Sequence, residues 1–259
     1  MANSPAPAKG TRPPGSETEA EASRKVREMF SQIAPRYDLL NHLLSFQLDR
    51  VWRKRTAKLL RPVLEPGDAR VLDLCCGTGD LAIIIARGYK VHLVGADFAH
   101  TMLTRAREKS VSLHSPTLAQ LRPIQFVEAD ALRLPFADDS FDLVTSAFGF
   151  RNLANYEAGL REIRRVLKPG GTIAILEFTE PPDSFLGNVY RWYFRRVLPR
   201  IGAVLSGDSA AYTYLPNSVF RFFRPAELSS LMSSVEFVSA SFRLWNLGSV
   251  ALHTAQRPH

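Results

Sequence analysis

The residues best able to do chemistry lie in one run, Val71-Leu72-Asp73-Leu74-Cys75-Cys76-Gly77-Thr78-Gly79-Asp80. An apolar stretch ending in a glycine pair lets the backbone turn tightly and lets a ligand approach it closely. Taken alone, Gly77-x-Gly79-x-x-Ala82 also fits the dinucleotide fingerprint, so the bend leaves a nicotinamide cofactor and S-adenosyl-L-methionine both open. Three acids favour the second. Asp73 stands just before the bend, where a carboxylate can face the positive amino group of a methionine moiety and would repel a pyrophosphate. Asp97 follows about 20 residues on, placed for ribose hydroxyls. Asp130, in Glu128-Ala129-Asp130-Ala131, can accept from an adenine amino group. A lone aspartate at a strand end is usually a helix cap and a lone glycine turn is often a plain corner. All three acids in register with the glycines are much harder to obtain by accident.

Strands and helices must alternate to hold these residues together. Short apolar runs at 70–74, 91–96, 124–128, 141–147 and 172–178 read as strands, with helices at 80–87, 101–109 and 156–167 between them. That rhythm predicts a parallel sheet with helices on both faces, in which acids at the tips of consecutive strands share one rim. Beyond 178 the rhythm breaks into an aromatic and basic helix at 184–198, a polar loop at 206–216 and a helix at 225–233. Strands at 236–244 and 249–255 follow, joined by Asn246-Leu247-Gly248, a hairpin signal. The expected fold is α/β and Rossmann-like, a seven-stranded, mostly parallel sheet with a C-terminal antiparallel hairpin.

The chain has 259 residues, 46% of them hydrophobic, which suits one globular domain with a tail and an insertion. Residues 1–18 are rich in Pro, Ala, Gly and Ser, lack an apolar signal-peptide core, and read as a disordered tail. Residues 19–66 read as a helical segment covering the active site. Within it Pro35 should force the preceding residue out of helix, and a single helix should run over 41–64. The main domain spans 67–259 with an insertion at about 180–224. Net charge is +8, a balance that favours anionic surfaces. Cys75 and Cys76 are adjacent and poorly placed to bridge each other; they read as packing residues in a reducing compartment, and no zinc spacing is present. No apolar run reaches the ~18 residues of a membrane span.

Several longer motifs carry a family resemblance. They are Phe30-Ser31-Gln32-Ile33-Ala34-Pro35-Arg36-Tyr37-Asp38 with Asn41, the glycine run, Phe148-Gly149-Phe150-Arg151-Asn152, Arg164-Arg165-Val166-Leu167-Lys168-Pro169-Gly170-Gly171, Leu198-Pro199-Arg200-Ile201-Gly202, and Tyr212-x-Tyr214-Leu215-Pro216. On these the chain resembles the ubiquinone/menaquinone biosynthesis C-methyltransferase family from about Phe30 to His253. The resemblance implies a class I methyltransferase that uses S-adenosyl-L-methionine, with cofactor contacts from Thr78, Asp97, Asp130 and Ala131. Ala147 stands where some members use a Ser for such a contact, and Thr213 and Asn217 stand where the family usually has Arg and Glu. The implied acceptor is the ring carbon of a prenylated quinol: demethylmenaquinol giving menaquinol, or a benzoquinol in the alternative.

Carbon methylation of a quinol needs a ring hydroxyl to lose its proton, so that charge reaches the ortho carbon. Arg151 is the expected stabiliser of that phenolate, and Asn152 the expected orienter of the ring hydroxyl. Tyr37, Tyr212 and Tyr214 are candidates to line the pocket or carry the proton, and His42 and His253 are candidate bases. The aromatic and arginine-rich stretch 184–200 suits an interfacial helix on anionic lipid, and equally a lid or a homodimer contact. The expected location is cytoplasmic, peripheral at the inner face of the cell membrane. A nucleic-acid methyltransferase is disfavoured, because Ala147-Phe148-Gly149-Phe150 occupies the place of an Asp/Asn-Pro-Pro-Tyr/Phe motif and no RNA-binding module is evident. A non-catalytic cofactor-binding subunit of a quinone-biosynthesis complex remains the reading from another class.

Overall fold

A computed structural model describes residues 10–38, 45, 47–111, 122–181, 187, 191, 192, 196, 214 and 217–259. Helix α1 (Glu19–Ile33) opens with a capping box, in which the Thr18 hydroxyl accepts from Glu21 N–H and the Glu21 carboxylate accepts from Thr18 N–H. A 3₁₀ turn (Ala34–Arg36) follows, then α2 (Leu48–Leu59) and α3 (Arg61–Leu64). The main domain then runs β1 (Arg70–Leu74), α4 (Asp80–Gly88), β2 (His92–Asp97), α5 (His100–Val111), β3 (Gln125–Glu128), β4 (Phe141–Ala147), a 3₁₀ turn (Phe150–Asn152), α6 (Tyr156–Val166) and β5 (Leu167–Phe178). Helix α7 (Pro225–Ser234), β6 (Val238–Trp245) and β7 (Val250–Gln256) complete it.

The strands form one seven-stranded sheet in the order β3-β2-β1-β4-β5-β7-β6. Pairings among β1 to β5 are parallel, and β7 runs antiparallel to both β5 and β6, as the hairpin signal implied. The order reverses between β1 and β4, which opens a crevice at the carboxyl ends of the strands. Side chains alternate across β1. Val71 packs in a layer with Trp52, Leu81 and Ile85, while Leu72 and Leu74 pack in the opposite layer with Leu160 and Ile163. Apolar burial on both faces of the sheet therefore fixes the rim that carries the acids.

Four local expectations change. Residues 1–9 lie outside the described residues, but the rest of the expected tail is seated on the domain: Thr11 is buried and its N–H donates to Leu153 O at 2.8 Å. Ala34 keeps helical dihedrals (φ −47°, ψ −41°) despite Pro35, because it is buried against Ala99 and Met102 and the chain tightens into a 3₁₀ turn there. The helix expected over 41–64 breaks at Leu60: Pro62 lacks an N–H and fits only the first turn of a new helix, α3. Strand β5 begins at Leu167, earlier than expected. The register jumps from Phe141↔Leu167 to Leu143↔Thr172, so the Lys168-Pro169-Gly170-Gly171 turn is a bulge inside the strand. The helix and loop expected at 184–198 and 206–216 fall largely outside the described residues.

Candidate cofactor and acceptor site

A partly open cleft lies at the tips of β1, β2, β3 and β4, with α1 and Tyr37 over it. Its walls include Cys75, Gly77, Asp97, Phe98, Asp130, Ala131, Phe148, Asn152 and Leu153. The bend beneath it turns through left-handed backbone at Cys75, Gly77 and Gly79. At Gly79 (φ +81°) a Cβ would also crowd Ala106 and Phe126 at 3.2 and 3.3 Å. At Gly77 (φ +55°) a Cβ would meet only Tyr37, at 3.9 Å, so its bare Cα leaves room on the cleft side for a ligand to lie against the backbone.

Asp97, at the end of β2, lines the cleft and holds the bend: its carboxylate accepts from Gly77 N–H at 2.8 Å and Ala99 N–H at 2.9 Å. Burial pushes its pKa up to about 6, against the pull of those backbone donors. Asp130 accepts from Leu132 N–H at 2.9 Å and faces both the cleft and an adjoining groove with Ser23, Arg24 and Arg27. Ala131 lines the cleft beside it. Asp73 stands elsewhere than expected. It is buried behind the bend, accepting from the Thr145 hydroxyl at 2.8 Å and Ala82 N–H at 3.1 Å, and it is not among the lining residues. Burial raises its pKa to about 7. Asp73 thus ties β1 to β4 and to the first turn of α4.

Thr78 is also turned away from the cleft. Its hydroxyl donates to Asp38 at 2.5 Å, and Lys109 donates to Asp38 at 2.7 Å, Asp80 at 2.6 Å and Thr78 Oγ1 at 3.1 Å. This cluster clamps the segment that carries Tyr37 onto the glycine bend. Ala147 ends β4 half-buried in the apolar layer with Phe148 and Phe178.

The loop after β4 approaches β1 so closely that a Cβ on Gly149 would lie 2.4 Å from Cys75 Cβ. Arg151 is buried. Its guanidinium donates to Glu177 at 2.8 Å, Phe148 O at 2.5 Å and Ser218 Oγ at 3.3 Å, and its N–H also reaches Glu177, at 3.2 Å. Glu177, wholly buried at the end of β5, has its pKa raised by burial even against the adjacent guanidinium. The expected free cation facing a phenolate is therefore one half of a buried ion pair that fixes the loop. Asn152 does line the cleft, and its side-chain oxygen accepts from the Tyr214 hydroxyl at 3.0 Å. Tyr37 lines it as well, packed edge-on against Phe30.

Tyr212 and His42 lie outside the described residues. His253 is not in the cleft. It is buried in β7 with Nε2 3.2 Å from Pro225 O, and burial lowers its pKa to about 4. Burial and nearby acids push both thiols of Cys75 and Cys76 up, so Cys75 is a neutral wall of the cleft and neither is a nucleophile. Sequence reasoning missed Glu177, Lys109 and Thr11. Only Glu177 carried a signal, as the one acid in the apolar run Ile173-Ala174-Ile175-Leu176-Glu177-Phe178.

The donor set fits S-adenosyl-L-methionine: a bare glycine backbone, a buried acid at the tip of β2, and an acid beside a small apolar residue just past the tip of β3. With this strand order they define a Rossmann-like S-adenosylmethionine-dependent methyltransferase. Solved structures of that fold agree. One is an S-adenosylmethionine-dependent methyltransferase of Thermotoga maritima, with a TM-score of 0.62 at 18% identity over 90% of this chain and 99% of that one. Another is the Haemonchus contortus phosphoethanolamine N-methyltransferase 2 in complex with S-adenosyl-L-methionine, with a TM-score of 0.58 at 14% identity over 79% and 52%.

The chain belongs to the ubiE/COQ5 methyltransferase family, whose sequence model matches residues 18–257. It is 49% identical to the demethylmenaquinone methyltransferase of Thermus thermophilus, over 89% of this chain and all of that one. It is 43% identical to the ubiquinone/menaquinone biosynthesis C-methyltransferase of Geobacter sulfurreducens, over 92% and 90%.

Proposed function

We propose that the chain methylates the ring carbon of demethylmenaquinol to give menaquinol. The observation that carries this reading is Asn152 set in the cleft wall beside the cofactor rim and held from behind by Tyr214, among apolar neighbours that suit a naphthoquinol ring. The names of the relatives support the acceptor.

When bound, S-adenosylmethionine supplies an electrophilic methyl group on a positively charged sulfur. Asp97 would accept from the ribose hydroxyls, and Asp130 with Ala131 would meet the adenine. Gly77 and Gly79 shape the bend under the methionine moiety, with Thr78 and Asp73 bracing it from behind and Ala147 closing the tip of β4. Asn152 orients the ring hydroxyl, Tyr214 holds Asn152 from behind through its own hydroxyl, and Tyr37, which lines the cleft, is placed to relay the ring hydroxyl's proton to solvent. A ring held this way would turn the carbon ortho to that oxygen toward the methyl the cofactor would supply, and the proton on that carbon would be the one lost to restore the aromatic ring. Burial raises the Tyr214 pKa against the pull of the Thr11 hydrogen bond and of Arg151, so Tyr214 is a neutral donor to Asn152, while Arg151, paired with Glu177, fixes the loop that carries Asn152. Phe148, Leu132 and Leu153 keep water from the reacting atoms.

Among the described residues no helix is long and apolar enough to cross a membrane. A prenylated acceptor partitions into the bilayer, so the enzyme works from its surface, at the inner face of the cell membrane. Trp192 is 61% exposed beside Arg191, and this aromatic–basic stretch supports a peripheral contact with anionic lipid. The test is methyl transfer to reduced demethylmenaquinone and to a reduced demethoxy-benzoquinone analogue. Turnover of the naphthoquinol, faster than of the benzoquinol, is expected; inactivity on both with activity on RNA overturns the acceptor.

A further inference from the structure

Residues 10–12 precede the first residue matched by the family, residue 18, yet they are built into the acceptor side of the cleft. Gly10 is buried so closely against the chain that a Cβ there would sit 1.8 Å from Ala154 O, and no side chain can replace its hydrogen without moving the strap. Thr11 is 6% exposed, and its N–H donates to Leu153 O. Arg12 donates to Ala154 O at 2.7 Å, and Lys25 of α1 donates to Pro14 O at 2.8 Å, so both ends of the strap are fastened. Leu153 and Ala154 are themselves cleft walls.

The Thr11 hydroxyl lies 2.9 Å from the Tyr214 hydroxyl. Tyr214 has one phenolic proton, and it points at Asn152 Oδ1, 3.0 Å away. The Tyr214 oxygen must therefore be the acceptor in the other bond, and Thr11 the donor. The three groups form a directed chain, Thr11 to Tyr214 to Asn152, that ends on the cleft wall.

We propose that Thr11 is a positioning residue for methyl transfer: its hydroxyl fixes the Tyr214 phenol, and through it Asn152, in the orientation that receives the acceptor hydroxyl. This rests on the quinol reading given above. The strap then makes the acceptor half of the site dependent on a segment outside the family match, while the cofactor half stands without it.

The test uses the full chain with Thr11→Val, which removes the hydroxyl at nearly constant shape, and Thr11→Ser, which keeps it. One neutral hydrogen bond is worth about 0.5–1.5 kcal/mol, so Thr11→Val should lower kcat on reduced demethylmenaquinone by roughly 2- to 12-fold. Thr11→Ser should restore it, and calorimetric affinity for S-adenosylhomocysteine should match wild type in both variants. A wild-type kcat in Thr11→Val overturns the proposal. So does a loss that Thr11→Ser fails to restore, or one that runs parallel to cofactor affinity and melting temperature, since each marks the strap as packing alone. If the wild-type chain binds S-adenosylhomocysteine but never methylates the quinol, the acceptor reading itself has failed, and Thr11 loses the role with it.

Discussion

Glu177→Ala is the sharpest perturbation of the site's internal electrostatics. Glu177 is 0% exposed and Arg151 5%, and the carboxylate accepts from the Arg151 guanidinium, the Arg151 N–H and the Phe178 N–H. Removing it leaves a buried guanidinium with only the Phe148 carbonyl and Ser218 hydroxyl as named protein acceptors. Breaking a buried pair in this way costs about 3–5 kcal/mol, against a total stability of about 5–15 kcal/mol for a domain. Urea unfolding should show the loss as a lower midpoint with an unchanged slope. Glu177→Gln keeps the volume and an acceptor oxygen. It should cost less in stability, and it should still lower turnover, because the loop bearing Asn152 loses its charged anchor. A double substitution, Glu177→Leu with Arg151→Met, should be more stable than Glu177→Ala alone, since it leaves no unpaired charge. A Glu177→Ala protein within about 1 kcal/mol of wild type would refute the claim that this pair holds the loop.

Other perturbations test other parts of the site. Asp97→Asn replaces a carboxylate that accepts from Gly77 N–H and faces the cleft; lost charged hydrogen bonds of about 1.5–3 kcal/mol predict roughly 10- to 150-fold weaker S-adenosylmethionine binding by calorimetry. Because the Asp97 pKa lies at about 6, wild-type affinity should also fall as pH drops from 7.5 to 5, and the asparagine variant should lack that dependence. Gly149→Ala puts a Cβ 2.4 Å from Cys75 Cβ, so overpacking of about 1–3 kcal/mol should appear in thermal unfolding together with weaker cofactor binding. His253 titrates near 6.5 when unfolded but at about 4 in the fold, so its stabilisation is complete above pH 6.5 and is lost as pH falls towards 4. The stability gap between wild type and His253→Leu should therefore shrink by roughly 3 kcal/mol between pH 7 and 4. A constant gap would place a charged imidazole in the core.

The rim was legible because periodicity places strand ends, and strand ends place Asp97 and Asp130 on one crevice. The hairpin was legible from Asn246-Leu247-Gly248 for the same local reason. Asp73 was misplaced because spacing gives a residue's position along a strand but not which way its carboxylate turns. Here the Thr145 hydroxyl and the Ala82 N–H draw it behind the bend. Arg151 does follow β4, but it is buried off the cleft because its partner Glu177 is 26 residues away on the neighbouring strand, a pairing only the sheet order creates. The strap at 10–12 was lost to composition: Pro, Ala and Gly suggest disorder, whereas burial of Thr11 and the bare fit of Gly10 depend on the surface they meet. The α-helix does end at Ile33, before Pro35, but Ala34 keeps helical dihedrals because its tertiary burial outweighs the local preference of the residue before a proline.

The most direct test of the acceptor chemistry is to supply S-adenosylmethionine carrying a trideuterated methyl group with reduced demethylmenaquinone, then reoxidise the product and determine its structure. The expected product is a quinone that reoxidises fully and carries the labelled methyl on ring carbon. A labelled methyl ether that cannot return to the quinone, or label found only on another class of acceptor, would contradict carbon methylation at this cleft.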